Sequence, residues 1–77
     1  MARQASAQQP MRQYLNVKHN VAHDSTLMPY RIDMDDEEYA VEVLRSREIY
    51  RGRWRYTVKV DKREMYLHRE GEEWWVE

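Results

Sequence analysis

The sequence predicts a mainly β fold: a five-stranded antiparallel meander closing toward a small SH3-like barrel, preceded by a short N-terminal helix or arm. Three observations lead there. From Tyr30 onward, apolar and polar residues alternate with a period of two, as on a half-buried strand. The alternating runs are separated by "DDEE", "RSRE", "DKRE" and "REGE", polar stretches with turn chemistry. When each break is folded as a hairpin, apolar residues face apolar residues across all of them, and a slip of one residue would destroy that match.

The chain divides into an arm over residues 1–27 and a small β domain over residues 28–77. Residues 1–10 are largely Ala, Gln, Ser and Arg with nothing to bury, which suits a disordered arm. Residues 11–23, "MRQYLNVKHNVAH", fit two templates. Pro10 suits the first turn of a helix that sets Met11, Leu15 and Ala22 on neighbouring faces. Leu15, Val17, His19 and Val21 alternate equally well as a strand. Asn16 and Asn20 disfavour the strand, so a short helix is expected. "HDSTLMP" then links to the β domain, and Pro29 imposes an extended start.

The first strand carries Tyr30, Ile32 and Met34, and the second Tyr39, Val41 and Val43. Turns at Asp36–Glu37 and Ser46–Arg47 would set Ile32 opposite Val41 and Val43 opposite Tyr50. A helix over residues 36–47 competes, since Asp35 and Glu38 have capping-box spacing and Arg45 and Arg47 lie toward its other end. The consistent hairpin facing favours strands. The third strand spans residues 50–60, about 36 Å if straight at ~3.3 Å per residue, with Gly52 available for a bend. Such a strand, shared by two half-sheets, would close a barrel. Turns at Asp61–Lys62 and Glu70–Gly71 then place Tyr56 opposite Leu67 and Leu67 opposite Trp74.

Size limits what this domain can do. The chain has 77 residues and no cysteine, so neither a disulfide nor a thiolate site supplements its core. Scaling for this mass gives a folded surface of roughly 5,000 Å² against about 13,800 Å² unfolded, which leaves a thin core and no room for a ligand-sized cavity. Three Trp, six Tyr and five Met must supply much of that core, with no Phe. Trp54 is expected inside it. No apolar run approaches the ~20 residues of a membrane span, and the first residues carry no hydrophobic stretch of the secretory kind. A cytoplasmic location, in a host or virus-infected cell, is the expectation.

"YRGRWRYTVKV", residues 50–60, places a basic residue at nearly every second position. The hairpin register sets Arg51 opposite Glu42, Arg55 opposite Glu38, Arg31 opposite Glu42 from the other side, and Lys59 opposite Glu64. Most of the stripe is therefore answered within its own sheet. Arg53, facing Ala40, is the arginine left for a partner. Tyr66 projects outward between Thr57 and Trp75, with Arg55 and His68 in the next row. Exposed aromatics beside arginines are the residue types that dominate interface hot spots, unless residues 11–28 fold over this face and bury it. Arg53, Arg55, Tyr66, His68 and Trp75 are accordingly the expected partner-binding residues.

Other chemistry is poorly supported. His19 and His23 are spaced for one helix face, but Asn20 stands where a zinc-protease motif needs Glu. Asp35 to Glu38 lacks the alternating oxygens and internal glycine of a calcium loop. Two glycines cannot build a phosphate cradle, and no nucleophile sits in a triad-like context. No cofactor, metal or catalysis is expected. The expected function is a non-enzymatic protein-binding module, a regulator or inhibitor of a larger partner; the alternative is a nucleic-acid-binding small β-barrel. A net charge of −1 favours the first, because phosphate recognition usually brings a basic excess.

Overall fold

The computed structural model describes residues 11–77. The arm expected over residues 1–10 lies outside them. Eight strands follow: β1 (Gln13–Leu15), β2 (Val17–Val21), β3 (Leu27–Met34), β4 (Glu37–Ala40), β5 (Glu42–Tyr50), β6 (Arg53–Val60), β7 (Arg63–Glu70) and β8 (Glu73–Val76). They form two antiparallel sheets, one ordered β1-β8-β7-β6-β5 and the other β2-β3-β4. Among the described residues there is no helix and no closed barrel, so the expected five-stranded barrel is replaced by two sheets.

The chain passes between sheets at Asn16 and at Val41. A backbone hydrogen bond secures each passage. The Asp33 amide donates to the Asn16 carbonyl at 2.9 Å, and the Val41 amide donates to the Tyr30 carbonyl at 2.9 Å.

The helix expected within residues 11–23 is corrected to two strands. Tyr14 and Leu15 lie opposite Trp75 and Trp74 across the β1–β8 ladder, and Leu15 packs against the core. That apolar burial outweighs the poor strand propensity of the two asparagines. Asn16 sits at the passage between sheets, and Asn20 lies on exposed β2, where propensity matters least. Over residues 36–47 there is likewise no helix: Asp36 lies in a turn, and β4 and β5 follow, divided at Val41.

The register is part as expected and part not. Asp61–Lys62 is the turn between β6 and β7, with Val58 opposite Met65 and Tyr56 opposite Leu67. Two other hairpins are displaced by two residues, pairing Ile32 with Tyr39 and Leu67 with Val76. A slip of two keeps every side chain on its face. The hairpin after Val43 is different in kind: β5 runs through "RSRE" to Tyr50 and turns at Arg51–Gly52. Gly52 is not a bend in a long strand but the left-handed residue of that turn, with φ +80°. A turn at Ser46–Arg47 lacks any residue that takes a left-handed conformation cheaply. The Glu48 carboxylate accepts the Gly52 amide at 2.9 Å and secures the turn.

Two hairpins do place non-glycine residues at positive φ: Asp35 (54°) with Asp36 (65°), and Asp61 (49°) with Lys62 (73°). This pair of left-handed residues matches the right-handed twist of the flanking strands. Aspartate tolerates it; lysine is strained there.

The core lies between the sheets and consists of Ile32 from one, and Tyr56, Val58, Val60, Leu67, Trp74 and Val76 from the other. Tyr56 is fully buried, its ring 5.4 Å from that of Trp74. Its hydroxyl donates to the Leu27 carbonyl at 2.7 Å, joining β6 to β3. Replacing Lys62 by glycine should raise stability by about 0.5–1 kcal/mol, relief of left-handed strain exceeding the added chain entropy. Urea unfolding of Lys62→Gly checks this, and a loss of stability would contradict the turn geometry.

Candidate functional site: the outer face of the five-stranded sheet

The two outward faces handle charge differently. On the three-stranded sheet, Lys18 and Arg31 are directly opposed across β2 and β3. Glu38 lies between them, 3.0 Å from the Lys18 Nζ and 3.2 Å from Arg31 Nη1. Hydrogen bonding to Lys18 holds the Glu38 carboxyl below its ordinary range, and the same bond raises the Lys18 ammonium. This face is neutralised in place.

The outer face of the five-stranded sheet is built in rows across the strands. One row runs Arg47, Arg55, His68, Trp75, Tyr14 from β5 to β1. The next holds Arg45, Thr57 and Tyr66, and a third holds Arg53, Glu70 and Glu73. The expected neighbours Thr57–Tyr66 and Arg55–His68 are present, as is Lys59 opposite Glu64. Lys59 also faces Glu42, and Arg31 faces Ala40.

Trp75 is corrected from exposed anchor to buried residue, at 1 % exposure. Tyr14 approaches it with ring centroids 5.8 Å apart, and His68 stacks on it at 5.5 Å with 9° between planes. The guanidinium carbons of Arg12 and Arg53 lie 4.1 and 5.5 Å from its ring. The N-terminal segment thus extends this sheet as β1 beside β8, which brings Tyr14 and Arg12 against Trp75. The result is a small second core made of rings and guanidinium planes. Within it the indole Nε1 and the Arg53 Nε are buried without an acceptor among the described residues. Trp54, expected in the core, is only partly buried against it.

His68 belongs to this stack. Its imidazole is held below the ordinary histidine value by burial, opposed by Glu77 and reinforced by the nearby Arg55, Arg53 and Arg12. Burial against Trp75 therefore favours the neutral form of the ring. Arg53 is not the available arginine, since it pairs with Glu70 at 3.3 Å.

The remaining residues form an open basic groove. Arg55 lies over the Tyr66 ring at 4.6 Å, and Tyr66 is 52 % exposed. Arg47 lies directly opposite Arg55, an unfavourable like-charge pair. Among the described residues, none of Arg45, Arg47 and Arg55 makes an ion pair. With Ser46, Thr57 and Tyr66 they line a shallow groove of about 270 Å³. Sequence reasoning missed Arg45 and Arg47 because it put a turn at Ser46–Arg47; the available signal was Gly52, the better turn residue. The two histidines considered for a metal are not on a helix, and His19 on β2 lies 5.6 Å from the Trp74 ring.

The chain matches no protein-family model, no curated protein and no solved structure. Function must be argued from this surface itself.

Two outcomes follow from the Trp75 stack. Trp75→Ala should cost about 3–5 kcal/mol and threaten folding, whereas Tyr66→Ala should cost about 1 kcal/mol or less; denaturant titration separates them. Because the His68 pKa is lowered on folding, its contribution to stability is complete above the ordinary histidine value of ~6.5 and is lost as pH falls through the lowered value. Thermal midpoints should fall on acidification from pH 7 to 5, and His68→Gln should flatten that slope.

Proposed function

We propose that this chain is a non-enzymatic protein-binding module, a regulator or inhibitor that holds an acidic surface of a larger partner. The contact residues are Arg45, Arg47, Arg55 and Tyr66 on the outer face of the five-stranded sheet. One observation carries this reading: Arg47 and Arg55 oppose each other across the β5–β6 ladder, neither makes an ion pair among the described residues, and Tyr66 stands exposed beside them. An arriving carboxylate relieves their repulsion and accepts charge-assisted bonds from planar guanidinium groups. Tyr66 adds a large, rigid contact surface of the kind found in hot spots. His68, Trp75 and Arg53 act as the frame that holds this surface.

Protein carboxylates suit the face better than a phosphate backbone. The chain is acidic overall, at −1, and Glu64 and Glu70 lie along β7 on the same face. A continuous strand of phosphates would meet these acids, while a protein surface need present only a few carboxylates.

Affinity capture from the source cell tests the proposal, comparing wild type with the Arg55→Ala, Tyr66→Ala double variant and treating half of each sample with nuclease. The expected result is a protein partner that survives nuclease and is lost with the double variant, whose affinity should fall by about 2 kcal/mol or more. Recovery of nucleic acid alone would replace this reading with the nucleic-acid-binding one.

A further inference from the structure

We infer that β5, the free edge of the five-stranded sheet, takes an extended acidic segment of the partner as a sixth strand. This inference rests on the protein-binding reading above and specifies how the partner is held.

Four features of β5 lead to it. The strand is nine residues long, yet only β6 pairs with it among the described residues, and from Leu44 to Tyr50, beyond its start near β3, its residues are exposed. Its ladder to β6 is regular only from Arg45 to Glu48, with shifts on either side at Val43/Arg45 and Glu48/Tyr50. Such irregularities bend an edge and limit how much of it another strand can follow. The open template is therefore a window of about four residues, suited to a short peptide.

Within that window the side chains set the chemistry. Arg45 and Arg47 share the outer face two residues apart, roughly 6.8 Å along a strand. A strand laid beside β5 presents its own alternate side chains at the same spacing, so two acids at i and i+2 would meet the two arginines. Arg55 and Tyr66 lie behind them in the same groove. Leu44 and Ile49, 40 % and 39 % exposed, flank the window and offer apolar contacts at its ends. Backbone pairing then gives affinity and the arginines give selectivity, the usual division in strand addition.

Charge also excludes two other occupants. A second copy pairing β5 symmetrically about Ser46 would set Arg45 against Arg47 twice, and pairing about Arg47 would set that residue against itself. Residues 1–10 contain no acid and carry Arg3, so they do not complement the edge.

The test uses the full chain and a fluorescein-labelled peptide, Thr-Val-Glu-Val-Glu-Val-Thr, with anisotropy for binding and amide hydrogen exchange for location. Binding is expected, with exchange slowed at residues 45–48. It should be lost when both glutamates are lysine or when the central valine is proline, which removes the extended backbone donor. The Arg45→Ser, Arg47→Ser double variant should bind about tenfold more weakly, two exposed ion pairs being lost, with a thermal midpoint no lower than that of the wild type, since the Arg47–Arg55 repulsion is relieved. Binding indifferent to the proline, with no slowing at residues 45–48, overturns the edge inference. So does absence of binding. If the captured partner is still lost with the Arg55 and Tyr66 variant, the protein-binding reading survives either failure. Displacement of the peptide by oligothymidylate, together with recovery of nucleic acid alone in the capture, overturns both.

Discussion

Everything in this molecule hangs on the seating of one sheet on the other, and Tyr56 governs that seating. It lies on β6, which is paired on both sides, and its ring is fully buried between the sheets. A buried phenol needs a partner for its hydroxyl, and the Leu27 carbonyl supplies it from the opposite sheet. This polar contact gives the packing a position that apolar contacts alone do not specify. Ile32 and Trp74 join it in the same buried cluster.

A domain this small has few inner faces to spend, and the outer face of the five-stranded sheet is drawn into the structure as well. The row from Tyr14 through Trp75 to His68 is a second packed layer, closed above by the Arg12 guanidinium. Tyr14 and Arg12 bury ring and guanidinium surface there while keeping their polar tips near water. The unpaired Trp75 Nε1 is the cost of placing an indole there. One half of the face is thereby consumed in holding the domain together, and the other half, toward β5, remains open.

That open half owes its character to the length of β5. Because the strand continues through Ser46 and Arg47, both arginines are displayed on a sheet and set beside Arg55. Had the chain turned there, Arg47 would have been a solvated loop residue. The contrast with the other sheet is instructive. There, Lys18 and Arg31 are brought together just as closely in register, but Glu38 arrives from β4 to balance them. At the β5 edge no further strand pairs among the described residues, and Arg45 and Arg47 make no ion pair there.

The sequence by itself determined the β character from Tyr30 onward, the Asp61–Lys62 turn, and the rows Thr57–Tyr66 and Arg55–His68. These are local facts: a short hairpin with period-two alternation has few ways to pair, and each side chain's face follows from parity. The tertiary structure decided the rest. Residues 13–21 became strands rather than a helix because β8 and β3 supplied ladders for them, and those partners lie far off in sequence. Trp75 became buried because β1 returned from the other end of the chain to lie beside it. The turn after β5 moved to Gly52 because left-handed backbone is cheap at glycine, and that shift exposed Arg45 and Arg47 as a pair. Alternation specifies which residues share a face; only the three-dimensional pairing of distant strands specifies which face is covered.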